Sequence, residues 1–206
     1  MQNIFFHEQD LPAGVDFGDS VAIDTETMGL NLNRDRLCLV QLSSGDGTAH
    51  LVRFKGEYNA PNLKKLLEDK SVLKIFHFGR FDIAAVYKYL GAEVTPVYCT
   101  KIASKLVRTN TDSHSLKTLC SELLGVELEK ESQCSDWGAE ELTETQLKYA
   151  ANDVLYLHRI KEELDKRLAR EGREELAAKC FDFLPMRAKL DILGWSGDIF
   201  SHSNCL

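Results

Sequence analysis

The feature that most constrains this chain is a change of hydrophobic period near residue 60. Before it, residues 21–24, 37–43 and 49–54 are short apolar runs separated by polar turns, of which Gly45-Asp46-Gly47 is the clearest. Such runs predict three strands of an antiparallel meander. After it, helical spacing takes over. Pro61 suits the first turn of a helix over 61–68. A strand at 73–76, a helix over 78–90 stopped by Gly91 and a strand at 97–99 follow. Helices are expected at 100–107 and at 115–124, where Leu116, Leu119, Cys120, Leu123 and Leu124 recur at helical spacing and Gly125 ends the run. Thr143 with Gln146 forms a capping box that opens a helix running to about residue 170, and residues 174–193 form another. Strands first and helices interleaved later predict an α/β architecture, a mixed sheet covered by helices.

The chain has 206 residues, enough to bury one sizeable core, and no repeat or flexible linker divides it. We therefore expect one domain over 1–206 with a helical C-terminal extension from about 174 to 206. No apolar run approaches the roughly 20 residues needed to cross a bilayer. The first ten residues lack the basic start and apolar stretch of a secretory signal, so a cytoplasmic protein with no membrane partner is expected. Six cysteines without a CxxC pair argue against a zinc site of ordinary spacing and against a disulfide scaffold. Cys205, beside the terminus, is expected to be exposed. The formal net charge of −7 weighs against a binder of long duplexes, which needs a basic surface. It weighs less against an enzyme of short strands, because bound cations can supply the positive charge where a phosphate sits.

Four acids stand where acids are unfavourable. Asp24 ends an apolar strand and Glu26 lies two residues on, so both side chains leave one face. Two adjacent carboxylates repel unless a proton or a cation intervenes, although a strand that simply ends in solvent is the plainer reading. In the helix over 78–90, Phe78, Phe81, Ala85 and Tyr89 form an apolar stripe with Asp82 within or beside it. A buried carboxylate needs a partner. Arg80, Lys74 or a metal ion could serve. Asp153 borders the packed face formed by Ala150, Val154 and Leu157. Tyr149 stands one turn earlier, where a local hydrogen bond to Asp153 is the simple alternative.

Taken together, VAIDTETMGL (21–30), HFGRFD (77–82), SLKTLCSELLG (115–125), SDWG (135–138) and QLKYAANDVLYL (146–157) resemble, in order, the DEDDy 3′–5′ exonucleases of the ribonuclease D-like branch. The short extension after Asp153 resembles the bacterial nanoRNase C group, which degrades very short RNA including dinucleotides. The resemblance implies a ribonuclease H-like fold of the DnaQ exonuclease kind. It also implies that Asp24, Glu26, Asp82 and Asp153 hold two divalent ions, magnesium or manganese. Hard cations want such oxygen ligands, and two ions about 4 Å apart suit in-line displacement at a phosphate. Tyr149 takes the family's tyrosine position and would orient the attacking water. Lys148 stands where the sister class has histidine. Thr27, Met28, Gly29 and Leu30 map to the residues that receive the terminal nucleotide, with an ordinary turn between strands as the alternative. His77 and Phe81 flank the second acid, where contact with sugar or base and a structural role are both open. Structural roles are expected for Trp137 (packing), Ser115 (helix capping) and His158. One departure is that Ala139-Glu140-Glu141 follows SDWG where an Arg-Pro pair is common, which agrees with a substrate too short to extend over that surface.

The expected activity is hydrolysis of short single-stranded RNA to nucleoside 5′-monophosphates. Two alternatives are an exonuclease that also takes DNA and a catalytically silent RNA-binding module, which would usually have lost one of the acids. Leu190, Ile192, Leu193, Trp195, Ile199 and Phe200 crowd apolar surface into the chain end. This predicts a homo-oligomer, for which the resemblance implies an octameric ring.

Overall fold

The computed structural model describes residues 3–128 and 135–202, so Cys134 and Cys205 lie outside the described residues. Six strands form one mixed sheet: β1 (Asn3–Glu8), β2 (Ser20–Thr27), β3 (Leu37–Ser43), β4 (Thr48–Arg53), β5 (Leu73–Phe76) and β6 (Val97–Cys99), in the spatial order β1-β4-β3-β2-β5-β6. β3 runs antiparallel to both β2 and β4, the meander expected from the turn signals. The β1–β4, β2–β5 and β5–β6 pairs are parallel. All seven residues of β3 are buried, as a strand covered on both faces must be.

The helices are α1 (Pro61–Glu68), α2 (Arg80–Leu90), α3 (Thr100–Val107), α4 (Leu116–Leu119), α5 (Glu144–Leu155), α6 (Leu157–Glu171) and α7 (Glu174–Ile192). α5 packs across β3 and β4 and reaches β2, α6 packs on α3, and α7 packs on α2. A smaller apolar cluster of Cys38, Leu39, Leu51, Trp137 and Ala150 lies between β3, β4 and α5. No helix among the described residues is long and apolar enough to cross a membrane.

Four details depart from the sequence expectations, each for a tertiary reason. β1 was not foreseen: it is a sheet edge whose residues are mostly exposed, so it lacks the buried stripe that marks a strand. The long helix from Thr143 keeps its capping box but breaks at Tyr156, where the chain leaves the β3–β4 surface for the α3 surface. The helix expected at 115–124 starts on a Ser115 cap and widens into a π-turn over Cys120–Leu124. The helix expected from Phe78 begins at Arg80 instead. Phe78 has φ +64° and its exposed ring lies beneath the Lys101 ammonium, so it is not part of the packed stripe.

Candidate active site

β2 pairs with β5 only over Ser20–Ala22, but with β3 as far as Thr27. The second half of β2 therefore runs past the end of β5 with one side unpaired. That opening, at the carboxyl end of a central strand, is where α/β sheets place ligands. Three elements converge there. β2 carries Asp24 and Glu26, the first turn of α2 carries Asp82, and the last turns of α5 carry Asp153.

Carboxylate oxygens of Asp24, Glu26 and Asp153 all lie within 4.8 Å of one another. Asp82 sits behind them, 4% exposed, and accepts a 2.6 Å hydrogen bond from the Thr25 hydroxyl. Neither cation considered from sequence is its partner. Arg80 donates to both Asp191 carboxylate oxygens, at 2.5 and 2.6 Å. Lys74, wholly buried, donates to the carbonyls of Asp69, Val72 and Thr95.

Four acids so placed cannot all ionise cheaply. Burial pushes Glu26 up to about 9, with Asp153 and Asp82 adding repulsion. Burial raises Asp82 to about 7 against the pull of its Thr25 bonds, and raises Asp153 to about 7 with a further push from Asp82. Asp24 is held well above the usual carboxylate range by burial and then by Asp82, Asp153 and Glu26. Among the described residues no basic side chain bonds any of the four directly. A hard divalent cation, which takes oxygen ligands, fits this donor set and would return the acids to their charged forms.

Two supporting residues escaped the sequence reading. Thr25 alternates between the two strand acids and holds Asp82. Gln41, fully buried on β3 directly opposite Asp24, directs its amide nitrogen at Asp24 Oδ2 at 3.4 Å. The available signal was a lone polar residue inside the apolar run LCLVQL. Replacing Thr25 by Val should make Asp82 harder to ionise, since its charged form loses a donor. The acid limb of the pH–rate profile is then expected to move to higher pH, with roughly a tenfold loss of kcat/KM below that limb. An unmoved limb would separate Thr25 from the chemistry.

The remaining candidates divide by position. Tyr149 is half-buried one turn before Asp153, with the Trp137 ring centroid 6.1 Å from its own. Trp137 is buried, as expected. The Thr27 hydroxyl donates to Gly29 O at 2.5 Å, Met28 is about half exposed, and Leu30 projects into solvent. At Gly29 a Cβ would lie 2.5 Å from Asp35 Oδ2, so glycine there makes room for the Asp35 carboxylate. Leu30 and Phe81 line a cavity of about 350 Å³ together with Phe78, Arg80 and Asp191. His77 Nδ1 pairs with Thr100 Oγ1 at 2.9 Å, and burial followed by nearby Lys101 pushes the imidazole down to about 3, so it is neutral. His158 is packed against Gly45.

Comparison with known proteins agrees with this geometry. The sequence pattern of the 3′-5′ exonuclease family matches residues 8–169. DNA polymerase I of Aquifex aeolicus is 34% identical over 202 residues, 89% of this chain and 33% of that protein. Ribonuclease D of Granulibacter bethesdensis is 35% identical over 74% of this chain and 38% of its own length. The chain thus spans between a third and two fifths of these two relatives. Brucella melitensis NrnC superposes with a TM-score of 0.96 at 57% identity, over 98% of this chain and all of NrnC, and has also been solved bound to pGG and with bound Mg2+. With a mixed sheet flanked by helices and acids gathered at its carboxyl edge, the chain belongs to the 3′–5′ exonuclease family, in the ribonuclease D-like branch of DEDD exonucleases and alongside NrnC.

Proposed function

We propose that this protein is a cytoplasmic exoribonuclease that cuts very short RNA from its 3′ end, dinucleotides included, and releases nucleoside 5′-monophosphates. The observation that carries this is the gathering of Asp24, Glu26 and Asp153 within 4.8 Å with Asp82 buried behind them. Two magnesium or manganese ions, when bound, acidify water and offset charge growing on the scissile phosphate. Asp24, Glu26, Asp82 and Asp153 hold them, with Thr25 and Gln41 fixing the two innermost acids. The Tyr149 hydroxyl orients the attacking water. Thr27, Met28, Gly29 and Leu30 form the rim that receives the terminal nucleotide, with Phe81 behind Leu30 and His77 as a neutral neighbour.

Several features support a short substrate. NrnC, at 57% identity, has been solved with pGG. The net charge of −7 and the pair Glu140-Glu141 offer no track for a long phosphate chain. A reducing compartment suits the free thiols of Cys38, Cys99, Cys120 and Cys180. The chain works in this reading as one domain over 1–206, with its extension from about 174. We also infer a homo-oligomer, an octameric ring by resemblance, that covers Leu193, Trp195 and Phe200, each more than half exposed. A monomer in light scattering would remove that part.

The test is digestion of end-labelled RNAs of two to about ten nucleotides with Mg2+ or Mn2+. The dinucleotide should be cleaved at least as fast as any longer strand. Inert dinucleotides alongside degraded decamers would sink the reading. A DNA substrate is the second reading, favoured by the 34% identity to a DNA polymerase I. Equal rates on RNA and DNA dinucleotides would establish it.

A further inference from the structure

The segment 135–138 touches both halves of the machinery. Its Trp137 is 4% exposed and packs with Cys38, Leu39, Leu51 and Ala150. From there its ring meets that of Tyr149 at 6.1 Å between centroids and 39° between planes. The next residue, Gly138, faces the other way. A Cβ at this position would overlap the Met28 sulfur and approach the Arg36 guanidinium. The Met28 side chain therefore lies on the space that a missing methyl leaves open.

The segment is itself held firmly. Asp136 O accepts from Gln146 Nε2 at 3.2 Å, and Gln146 is the third residue of the capped first turn of α5. Asp136 Oδ1 accepts from the Gly138 amide at 3.0 Å, and Gly138 O accepts from Arg36 at 3.4 Å. Arg36 in turn donates to Phe54 O at 2.9 Å, and its own carbonyl accepts from the Met28 amide at 3.0 Å. Fixed to α5 on one side and to the β2–β3 connection on the other, two consecutive residues lie against two different groups.

From this we infer that Trp137 and Gly138 are positioning residues: Trp137 sets the Tyr149 ring, and Gly138 seats Met28 at the rim that receives the terminal nucleotide. The ring contact with Trp137 constrains where the Tyr149 hydroxyl can sit, and misplacing a reacting group by about 1 Å costs up to roughly a hundredfold in rate. The inference rests on the exoribonuclease reading above, so the experiment must separate the two.

Two substrates do so: an RNA dinucleotide, and bis(p-nitrophenyl) phosphate, a diester with no nucleobase to seat. Gly138→Ala displaces the flexible end of Met28 and shifts the Arg36 guanidinium by no more than a few tenths of an ångström, and is expected to fold. It should raise KM for the dinucleotide about tenfold at unchanged kcat, and leave the nucleobase-free diester unaffected. Trp137→Leu should lower kcat about tenfold on both substrates at unchanged KM, and should have no further effect in a Tyr149→Phe background. Unchanged KM in Gly138→Ala, or equal losses on both substrates, overturns the role of Gly138. A loss from Trp137→Leu that persists in full with Tyr149→Phe overturns the role of Trp137. Should Trp137→Leu fail to fold, Trp137→Phe carries the same cycle. If the unaltered protein cleaves neither substrate, the nuclease reading falls and this inference with it. An active protein indifferent to both substitutions overturns this inference alone.

Discussion

Asp82→Asn and Asp153→Asn should each cut hydrolysis by about a thousandfold or more while making the cation-free protein more stable. The first effect follows from the several kcal/mol that divalent ions contribute to charge neutralisation at phosphate, at about 1.4 kcal/mol per tenfold in rate. The second comes from the repulsion and burial already described. Asp82 and Asp153 each titrate near 7 rather than 3.8, so holding either ionised at pH 8 costs on the order of 2–4 kcal/mol. Asparagine has nearly the same shape, carries no charge and at position 82 can still accept from Thr25. A gain of this size should raise the midpoint of thermal unfolding by about 5–10 °C in EDTA. An ordinary buried aspartate would behave oppositely, because losing a satisfied charge destabilises. Thermal unfolding of the two variants in EDTA beside their rates on an RNA dinucleotide reads both effects. Variants that still cleave, or that melt earlier than the unaltered protein, would remove the acids from the site.

The second large effect is a cation stabilisation that depends on pH. The folded-state carboxyls of Glu26, Asp82 and Asp153 hold protons up to about 9, 7 and 7, whereas in the unfolded chain they lose them near 4. Without a cation the folded form thus binds more protons than the unfolded one, and stability falls as pH rises from about 4 to about 9, most steeply up to about 7 where all three acids contribute. A divalent ion replaces those protons. At pH 8 and a hundredfold excess over its dissociation constant it should add about 2.7 kcal/mol, a rise of roughly 5–10 °C in the unfolding midpoint. At pH 5 protons compete and the rise should shrink toward zero. EDTA should abolish both the stabilisation and the hydrolysis. Calorimetry at pH 5 and 8, with and without 10 mM-order magnesium, distinguishes this from general salt effects. A shift of equal size at both pH values would mean that the ion binds elsewhere, or that the acids do not share it.

The two predictions depend on different information. Which residues could do the chemistry was legible in the sequence. Asp24 and Glu26 follow an apolar run, Asp82 falls within or beside an apolar stripe and Asp153 borders one. Singly these signals are weak, and the ordered resemblance of five stretches to the ribonuclease D-like exonucleases is what set the four acids apart. The strand meander, the Thr143 capping box, the Ser115 cap and the glycine stops at Gly91 and Gly125 were legible from period and turn chemistry, since their signals lie within one turn of the residues concerned.

What tertiary structure alone decided is which neighbours these residues meet. Sequence offered Arg80 and Lys74 as partners for Asp82. The fold gives Arg80 to Asp191, more than a hundred residues away, Lys74 to three carbonyls, and Asp82 to Thr25. Edge strand β1, the break at Tyr156 and the left-handed backbone of Phe78 carry no local signal either. They are settled by which surface the chain packs on next. Local period reports a residue's preference for burial or solvent, whereas the partner that satisfies a buried polar group is chosen by contacts distant in sequence, and those exist only once the sheet has formed.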